Sequence, residues 1–392
     1  MPTLLYKDST LTTETISTRT AACVAYTTER ALPRVATLSL QDYLCPATRP
    51  QFLNDMRTSL TELGTFYIKD HGVSPTLIQS TMATVRDYFS LPLAEKKKML
   101  IGNSRHFRGY KLMGEEFTNN QVDHREQLQF GPEDEALASF QPGTSADHTG
   151  LQGPNQWPAS TLDLLPQFRP CILEYMDQLE ILSTHLMEAI ALSLDLDASY
   201  FRDLFGLNPY YRLKCAKYPS VAQGKSATIG CGAHKDTGFL TVLLQDMVGG
   251  LQGQDPASGT WMDTRPVPDT FIVTLGESVE RLTDGAYQAT VHRVLNNTSG
   301  QDRYSIPFFF DPALDAQIPN RLATAVSGKN EVMMMDSKNS SLEDLVEGLN
   351  IHDELAPYPK KETQTWSNGA HIFETVHRCH PEVYSRWYSR EA

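Results

Sequence analysis

From Tyr210 onward, short apolar and β-branched runs alternate with clusters of Gly, Asn, Asp and Pro. Antiparallel strands joined by turns read this way in a barrel or sandwich. The runs predict strands at Tyr211–Tyr218, Phe239–Gln245, Leu251–Gln254, Thr270–Leu275, Val291–Leu295 and Tyr304–Phe310. Upstream the period lengthens from two residues to three or four. Phe52, Met56, Leu60 and Leu63 mark one face of a helix over Arg49–Leu63, which Gly64 ends. A strand entering a helix is expected near residues 36–44, a β-rich stretch over 65–73, helices over Ser74–Phe89 and Leu93–Met99, and a strand over 123–131. Residues 132–160, with Pro142-Gly143 and Gly153-Pro154, read as a loop-rich bridge. The longest helical pattern, Leu162–Leu194, has Pro166 and Pro170 near its start. Together these elements predict an α+β chain.

Composition narrows the partners. Subtracting 47 acidic from 34 basic residues leaves −13, which predicts no general attraction to nucleic acid or to an anionic membrane. A small-molecule substrate or a protein is the favoured partner, and the sequence assigns no oligomeric state. The six cysteines are scattered without a Cys-x-x-Cys, arguing against a disulfide framework and for a reducing, cytoplasmic setting. No run approaches the roughly 20 apolar residues of a membrane helix. Residues 1–34 are rich in Ser and Thr and contain Asp8, Glu14 and Glu29. They read as a flexible arm rather than a secretory or mitochondrial address.

The candidate chemistry begins at His234 and Asp236, two residues apart before the apolar run Phe239–Leu244. On one strand they would share a face and aim a nitrogen and a carboxylate oxygen at a common point. Alone, such a pair is more often a polar strand end where the Asp caps a turn. His71, His106 and His124 have no spaced carboxylate and read as capping, packing or solvent-facing residues. Downstream, Val291-His292-Arg293-Val294 places a second imidazole in a strand, and Arg303 and Ser305 share a face by the same two-residue period. Two imidazoles and one carboxylate suit Fe(II) and leave coordination positions open. An inward Arg with a Ser hydroxyl suits one carboxylate of a bound acid.

These residues resemble, in type, order and approximate spacing, the signature of the iron(II)/2-oxoglutarate-dependent oxygenase family, in the branch with isopenicillin N synthase and the plant flavonoid and gibberellin oxidases. Gly64–Val73, Phe89-Ser90-Leu91-Pro92 and Thr290–Val294 are similar to other stretches of that branch. The resemblance implies a double-stranded β-helix (jelly-roll, cupin-like) core with flanking helices. It further implies Fe(II) on His234, Asp236 and His292, with 2-oxoglutarate and O2 as cosubstrates. Arg303, Ser305 and Tyr218 would hold the distal carboxylate of 2-oxoglutarate. Where the family has Asn three residues before Pro219 this chain has Ala216, and Lys217 is also unusual.

For substrate contacts, Arg108 and Tyr110 lie in a stretch that approaches the mouth in relatives, while Leu240 and Phe309 face inward by parity with Asp236 and Arg303. The implied activity is oxidation of a small molecule's C–H bond, in natural-product or amino-acid-derived secondary metabolism. An isopenicillin N synthase-like oxidase without 2-oxoglutarate and a non-catalytic β-barrel binding protein are the alternatives. The expected organisation is the arm (1–34), an N-terminal α/β region (35–160), the long helix with the catalytic core (161–312) and an extended C-terminal region (313–392). All but the arm form one integrated catalytic domain. An insert over 313–368, containing Met333-Met334-Met335, is expected to cover the barrel mouth or make a subunit contact.

Overall fold

In the computed structural model, which describes residues 35–322 and 365–389 apart from 120, 137–139, 141, 144–146 and 223–228, one long helix backs the main sheet. Helix Phe168–Ser193 buries Phe168, Ile172, Tyr175, Leu179, Leu182, Leu186 and Ile190. It packs against helices Arg49–Glu62 and Pro75–Ser90 and against the sheet behind them. It starts later than its pattern suggests, because Pro166 separates it from the short helix Ala159–Leu164. Pro166 lacks an N–H and its ring crowds the preceding turn, whereas Pro170 sits in the first turn, where no intrahelical N–H bond is lost.

In chain order the strands among the described residues are β1 (Thr37–Ser39), β2 (Thr65–Lys69), β3 (Gly109–Lys111), β4 (Phe117–Thr118), β5 (Gln121–Val122), β6 (Glu126–Phe130), β7 (Tyr210–Tyr218), β8 (Cys231–His234), β9 (Leu240–Gln245), β10 (Leu251–Gln254), β11 (Trp261–Asp263), β12 (Phe271–Leu275), β13 (His292–Val294), β14 (Arg303–Asp311), β15 (Gln317–Pro319) and β16 (Thr365–Ser367). The major sheet runs β1-β2-β12-β9-β14-β7-β6-β3 and the minor sheet β11-β10-β13-β8. Only the β1–β2 pair is parallel among the pairings of these two sheets. This is the double-stranded β-helix core. The six strands expected in the second half all form, with ends within two residues of their predicted positions.

Register decides which side chains reach the space between the sheets. Arg303 pairs with Tyr218, Ser305 with both Gln245 and Ala216, and Phe309 with both Thr241 and Arg212. Gln127 lies beside Ala216, extending the Ser305 row onto β6. Residues of opposite parity, including Val242, Leu244, Ile306, Phe308, Leu213 and Cys215, fill the core on the helix side.

At the far end, Ser367 caps helix Asn368–Cys379 by accepting the Ala370 N–H at 3.2 Å. Buried Lys111 on β3 donates to the Cys379 carbonyl at 2.6 Å and pairs with Glu382 at 3.1 Å, fastening the terminal helices to the sheet. The arm over 1–34 and the Met333–Met335 insert, with the roles expected of them, lie outside the described residues. No described helix is long and apolar enough to cross a membrane.

Candidate metal centre

His234 ends β8, and Asp236 lies two residues beyond it in the connection to β9, not on the shared strand its spacing suggested. The connection is held in place, since the Asp236 carbonyl accepts the Glu277 N–H at 2.8 Å. His292 opens β13 directly across from His234, with the ring centroids 4.3 Å apart. Asp236 Oδ1 lies 3.9 Å from His234 Nε2 and 3.7 Å from His292 Nε2. One donor atom from each residue falls within 4.8 Å of the others.

Neighbouring groups point these donors at one another. Nδ1 of His234 donates to the Gly232 carbonyl at 2.8 Å and Nδ1 of His292 to that of Thr290 at 3.0 Å. Each Nε2 lone pair is thereby left for a metal. Thr241 and Thr274 hydroxyls donate to Asp236 Oδ2 at 2.6 and 3.3 Å, leaving Oδ1 toward the imidazoles. Burial pushes the His292 pKa down, with the His234 imidazole adding to the effect, so the neutral ligand form is favoured. Burial alone would raise the Asp236 carboxyl, but His292, His234 and the two threonines outweigh it and hold it below the usual carboxylate range. Two imidazoles and an ionised carboxylate form a donor set that fits Fe(II) with open positions.

The cavity beside this triad, about 100 Å³, is also lined by Tyr218, Arg303, Ser305 and Phe309. Arg303 is 1% exposed, and only its Nη2 finds a partner, Gln245 Oε1 at 3.3 Å. Among the described residues its Nε and Nη1 have none. A buried guanidinium with two unanswered donors calls for an anion. Its fork and the nearby Ser305 hydroxyl fit a carboxylate, and the Tyr218 ring packs 4.9 Å from Arg303 Cζ.

The comparisons with known proteins agree with this geometry. Residues 207–312 match the model of the 2OG-Fe(II) oxygenase superfamily, and residues 35–160 match that of the non-haem dioxygenase in morphine synthesis N-terminal region. The chain belongs to the 2OG-Fe(II) oxygenase superfamily. A 2-oxoglutarate-Fe(II) type oxidoreductase of Aspergillus fumigatus is 36% identical over 265 residues, covering 67% of this chain and 77% of the relative. The 1-aminocyclopropane-1-carboxylate oxidase of Dictyostelium mucoroides is 33% identical over 304 residues, covering 69% and 80%. Homoarginine-6-hydroxylase of Glycine max is 31% identical over 278 residues, covering 68% and 80%. Among solved structures, a 2OG-Fe(II) oxygenase family protein from Caulobacter crescentus superposes with a TM-score of 0.63 at 25% identity, covering 81% of this chain and 98% of that one. The dioxygenase for auxin oxidation in rice, at 24% identity, shares the fold with a TM-score of 0.57, covering 73% and 85%. The protein is therefore an Fe(II)- and 2-oxoglutarate-dependent dioxygenase that oxidises small molecules with O2.

Within this oxygenase the expected substrate residues divide. Phe309 does face the cavity, stacked beside Arg212 and Lys214. Leu240 does not: Gly238 turns the chain tightly against the Asp311 carboxylate, so parity does not carry from Asp236 into β9, and Thr241 and Leu243 face inward instead. Arg108 is fully buried away from the cavity, bonded to the Leu151 carbonyl at 3.1 Å and the Tyr210 hydroxyl at 3.4 Å. Tyr110 is likewise a core residue, donating to Glu126 Oε2 at 2.6 Å. Besides several threonines, the cavity wall carries Arg125, Gln127 and Lys214, which the sequence reading did not select.

Proposed function

We propose that His234, Asp236 and His292 hold the catalytic iron and that Arg303, Ser305 and Tyr218 hold the distal carboxylate of 2-oxoglutarate. The observation that carries this reading is the shared cavity: three metal donors within 4.8 Å of one another, beside a buried arginine with two unanswered donors. When bound, Fe(II) couples oxidative decarboxylation of 2-oxoglutarate by O2 to oxidation of a substrate C–H bond. The protein's own part is positional. The backbone carbonyls fix the imidazole tautomers, the threonines fix the carboxylate, and Arg303 fixes the acid at a set distance from the triad. The apolar wall from Leu243, Ile272, Leu251 and Val294 keeps bulk water from the acid.

The substrate is a small acid of amino-acid type, in natural-product or amino-acid-derived secondary metabolism. Two relatives support this class, named for 1-aminocyclopropane-1-carboxylate and for homoarginine. So does Lys214, a cavity-wall cation whose partner Glu116 lies 3.5 Å away and is shared with Arg125 and Gln127. That loose tie leaves the ammonium able to take a substrate carboxylate. The free cysteines among the described residues support a cytoplasmic setting.

Anaerobic addition of Fe(II), then 2-oxoglutarate, tests the cosubstrate assignment. A visible charge-transfer band should appear, and Arg303→Met should raise the 2-oxoglutarate concentration needed for it at least tenfold. An unchanged requirement would sink the assignment. For the substrate class, 2-oxoglutarate consumption should be stimulated by amino acids and not by the corresponding decarboxylated amines. Equal stimulation by both would refute the carboxylate role of Lys214.

A further inference from the structure

Arg125 stands in the charged turn before β6, lines the cavity and is 12% exposed. Its Nη2 pairs with Asp123 Oδ2 at 2.8 Å and Glu116 Oε2 at 3.0 Å. Those two carboxylates already answer the charge of the guanidinium, although its Nε has no partner among the described residues. Nη1, however, donates to the Tyr218 hydroxyl at 3.3 Å, inside the cavity. A guanidinium can only donate, so the phenol oxygen must accept there. The single phenol proton is thereby left to donate elsewhere, and Tyr218 stands beside Arg303 in register.

The same turn is keyed into the strand that carries His234. Asp123, fully buried, accepts the Gly232 N–H on Oδ1 at 3.1 Å and the Thr118 hydroxyl on Oδ2 at 2.8 Å. The Gly232 carbonyl in turn accepts His234 Nδ1–H at 2.8 Å. Position 232 needs glycine, because a Cβ there would collide with the Thr118 carbonyl. One hydrogen-bonded path therefore runs from the Tyr218 phenol through Arg125, Asp123 and Gly232 to the imidazole of His234.

We propose that Arg125 is a positioning residue that fixes the Tyr218 hydroxyl as a donor to the distal carboxylate of 2-oxoglutarate, and that Asp123 locks it to the His234 strand. The inference rests on Tyr218 being a contact of that carboxylate. A guanidinium on the phenol oxygen also polarises the O–H and strengthens its donation to an anion. Because Asp123 ties Arg125 to Gly232, the acid's anchor and the metal's anchor move together.

The test is a double-mutant cycle on the Fe(II) protein under anaerobic conditions, with the 2-oxoglutarate Kd read by calorimetry for wild type, Arg125→Lys, Tyr218→Phe and the double variant. Lysine keeps the charge between Asp123 and Glu116 but cannot also reach the phenol. Each single variant should weaken binding roughly tenfold, the scale of one hydrogen bond to a charged group, and the double variant should be no weaker than Tyr218→Phe. Should Arg125→Lys not fold, Arg125→Gln combined with Glu116→Gln removes the charge with one counter-charge and serves the same comparison. If Tyr218→Phe leaves Kd unchanged, the reading of Tyr218 fails and the inference with it. If Tyr218→Phe weakens binding but Arg125→Lys does not, or if the two losses multiply, the reading of Tyr218 stands and the role of Arg125 is refuted.

Discussion

The hydroxyl of Thr241 makes the shortest contact to the Asp236 carboxylate, and removing it tests how far metal affinity depends on residues that never touch the metal. In Thr241→Val the shape is nearly kept, but the 2.6 Å hydrogen bond to Oδ2 is lost, leaving the 3.3 Å bond from Thr274. Asp236 is 7% exposed, so water does not readily replace the missing donor. A hydrogen bond to a charged group contributes about 1.5–3 kcal/mol. That bond also fixes which carboxylate oxygen faces the imidazoles, so without it Asp236 must be reoriented when the metal binds. The expected result is a Kd for Fe(II) or Mn(II) raised about 10–100-fold, the usual effect of losing such an outer partner. Anaerobic calorimetry on the apoprotein measures this directly. Thr65→Val is the control, because Thr65 lines the same cavity but donates to the Val273 carbonyl at 3.0 Å and touches no ligand. Metal affinity within twofold of wild type in Thr241→Val, or an equal loss in Thr65→Val, would refute the reasoning.

His234→Ala or Asp236→Ala should abolish turnover while circular dichroism shows a folded protein; residual turnover in either would overturn the metal assignment. Burial pushes the Glu277 carboxyl up to about 7 from an ordinary 4.5. The folded state thus holds this proton more tightly, and the stabilisation, full below pH 4.5, is lost as pH rises through about 7. Glu277→Gln should flatten the fall in unfolding free energy between pH 4.5 and about pH 7 by up to about 3 kcal/mol, and parallel slopes in both proteins would contradict it. Gly232→Ala forces a methyl against the Thr118 carbonyl and should cost about 1–3 kcal/mol of stability while weakening metal binding through His234. Intact metal affinity would separate Gly232 from the ligand geometry.

Much of the site was legible because its chemistry repeats at strand spacing. Arg303 and Ser305 share a face on β14, and His292 sits in a short β-branched strand, so type and spacing alone brought them together. Leu240 was misread because the two-residue period holds only within a strand, and Gly238 bends the chain between Asp236 and β9. Arg108 and Tyr110 were expected at the mouth because the matching stretch approaches it in relatives, but here both are buried in the core. Their partners, the Leu151 carbonyl, the Tyr210 hydroxyl and the Glu126 carboxylate, lie elsewhere in the sequence, and no local pattern announces them. Asp123 and Arg125 fell inside an ordinary charged run. The one local trace of their role was Gly232 two residues before His234, which acquires meaning only once Thr118 is seen packed against it.

The two departures from the family pattern on β7 have different physical meanings. Lys217 points away from the cavity, where Asp302 at 3.1 Å and Glu126 at 3.5 Å neutralise it, and Glu126 also holds Lys96 at 2.6 Å. It belongs to the polar framework outside the barrel. Ala216 faces the cavity between Ser305 on β14 and Gln127 on β6. A small side chain there exposes the neighbouring Gln127, whose Nε2 is committed to Glu116 while its buried Oε1 has no partner. The wall therefore offers an acceptor at Gln127 and a cation at Lys214, diagonal to each other across β6 and β7. An amino acid carries both a donor and a carboxylate. Ala216 on β7 and the unpaired Gln127 amide oxygen on β6 thus favour the same substrate class that was proposed from the loose ion pair of Lys214.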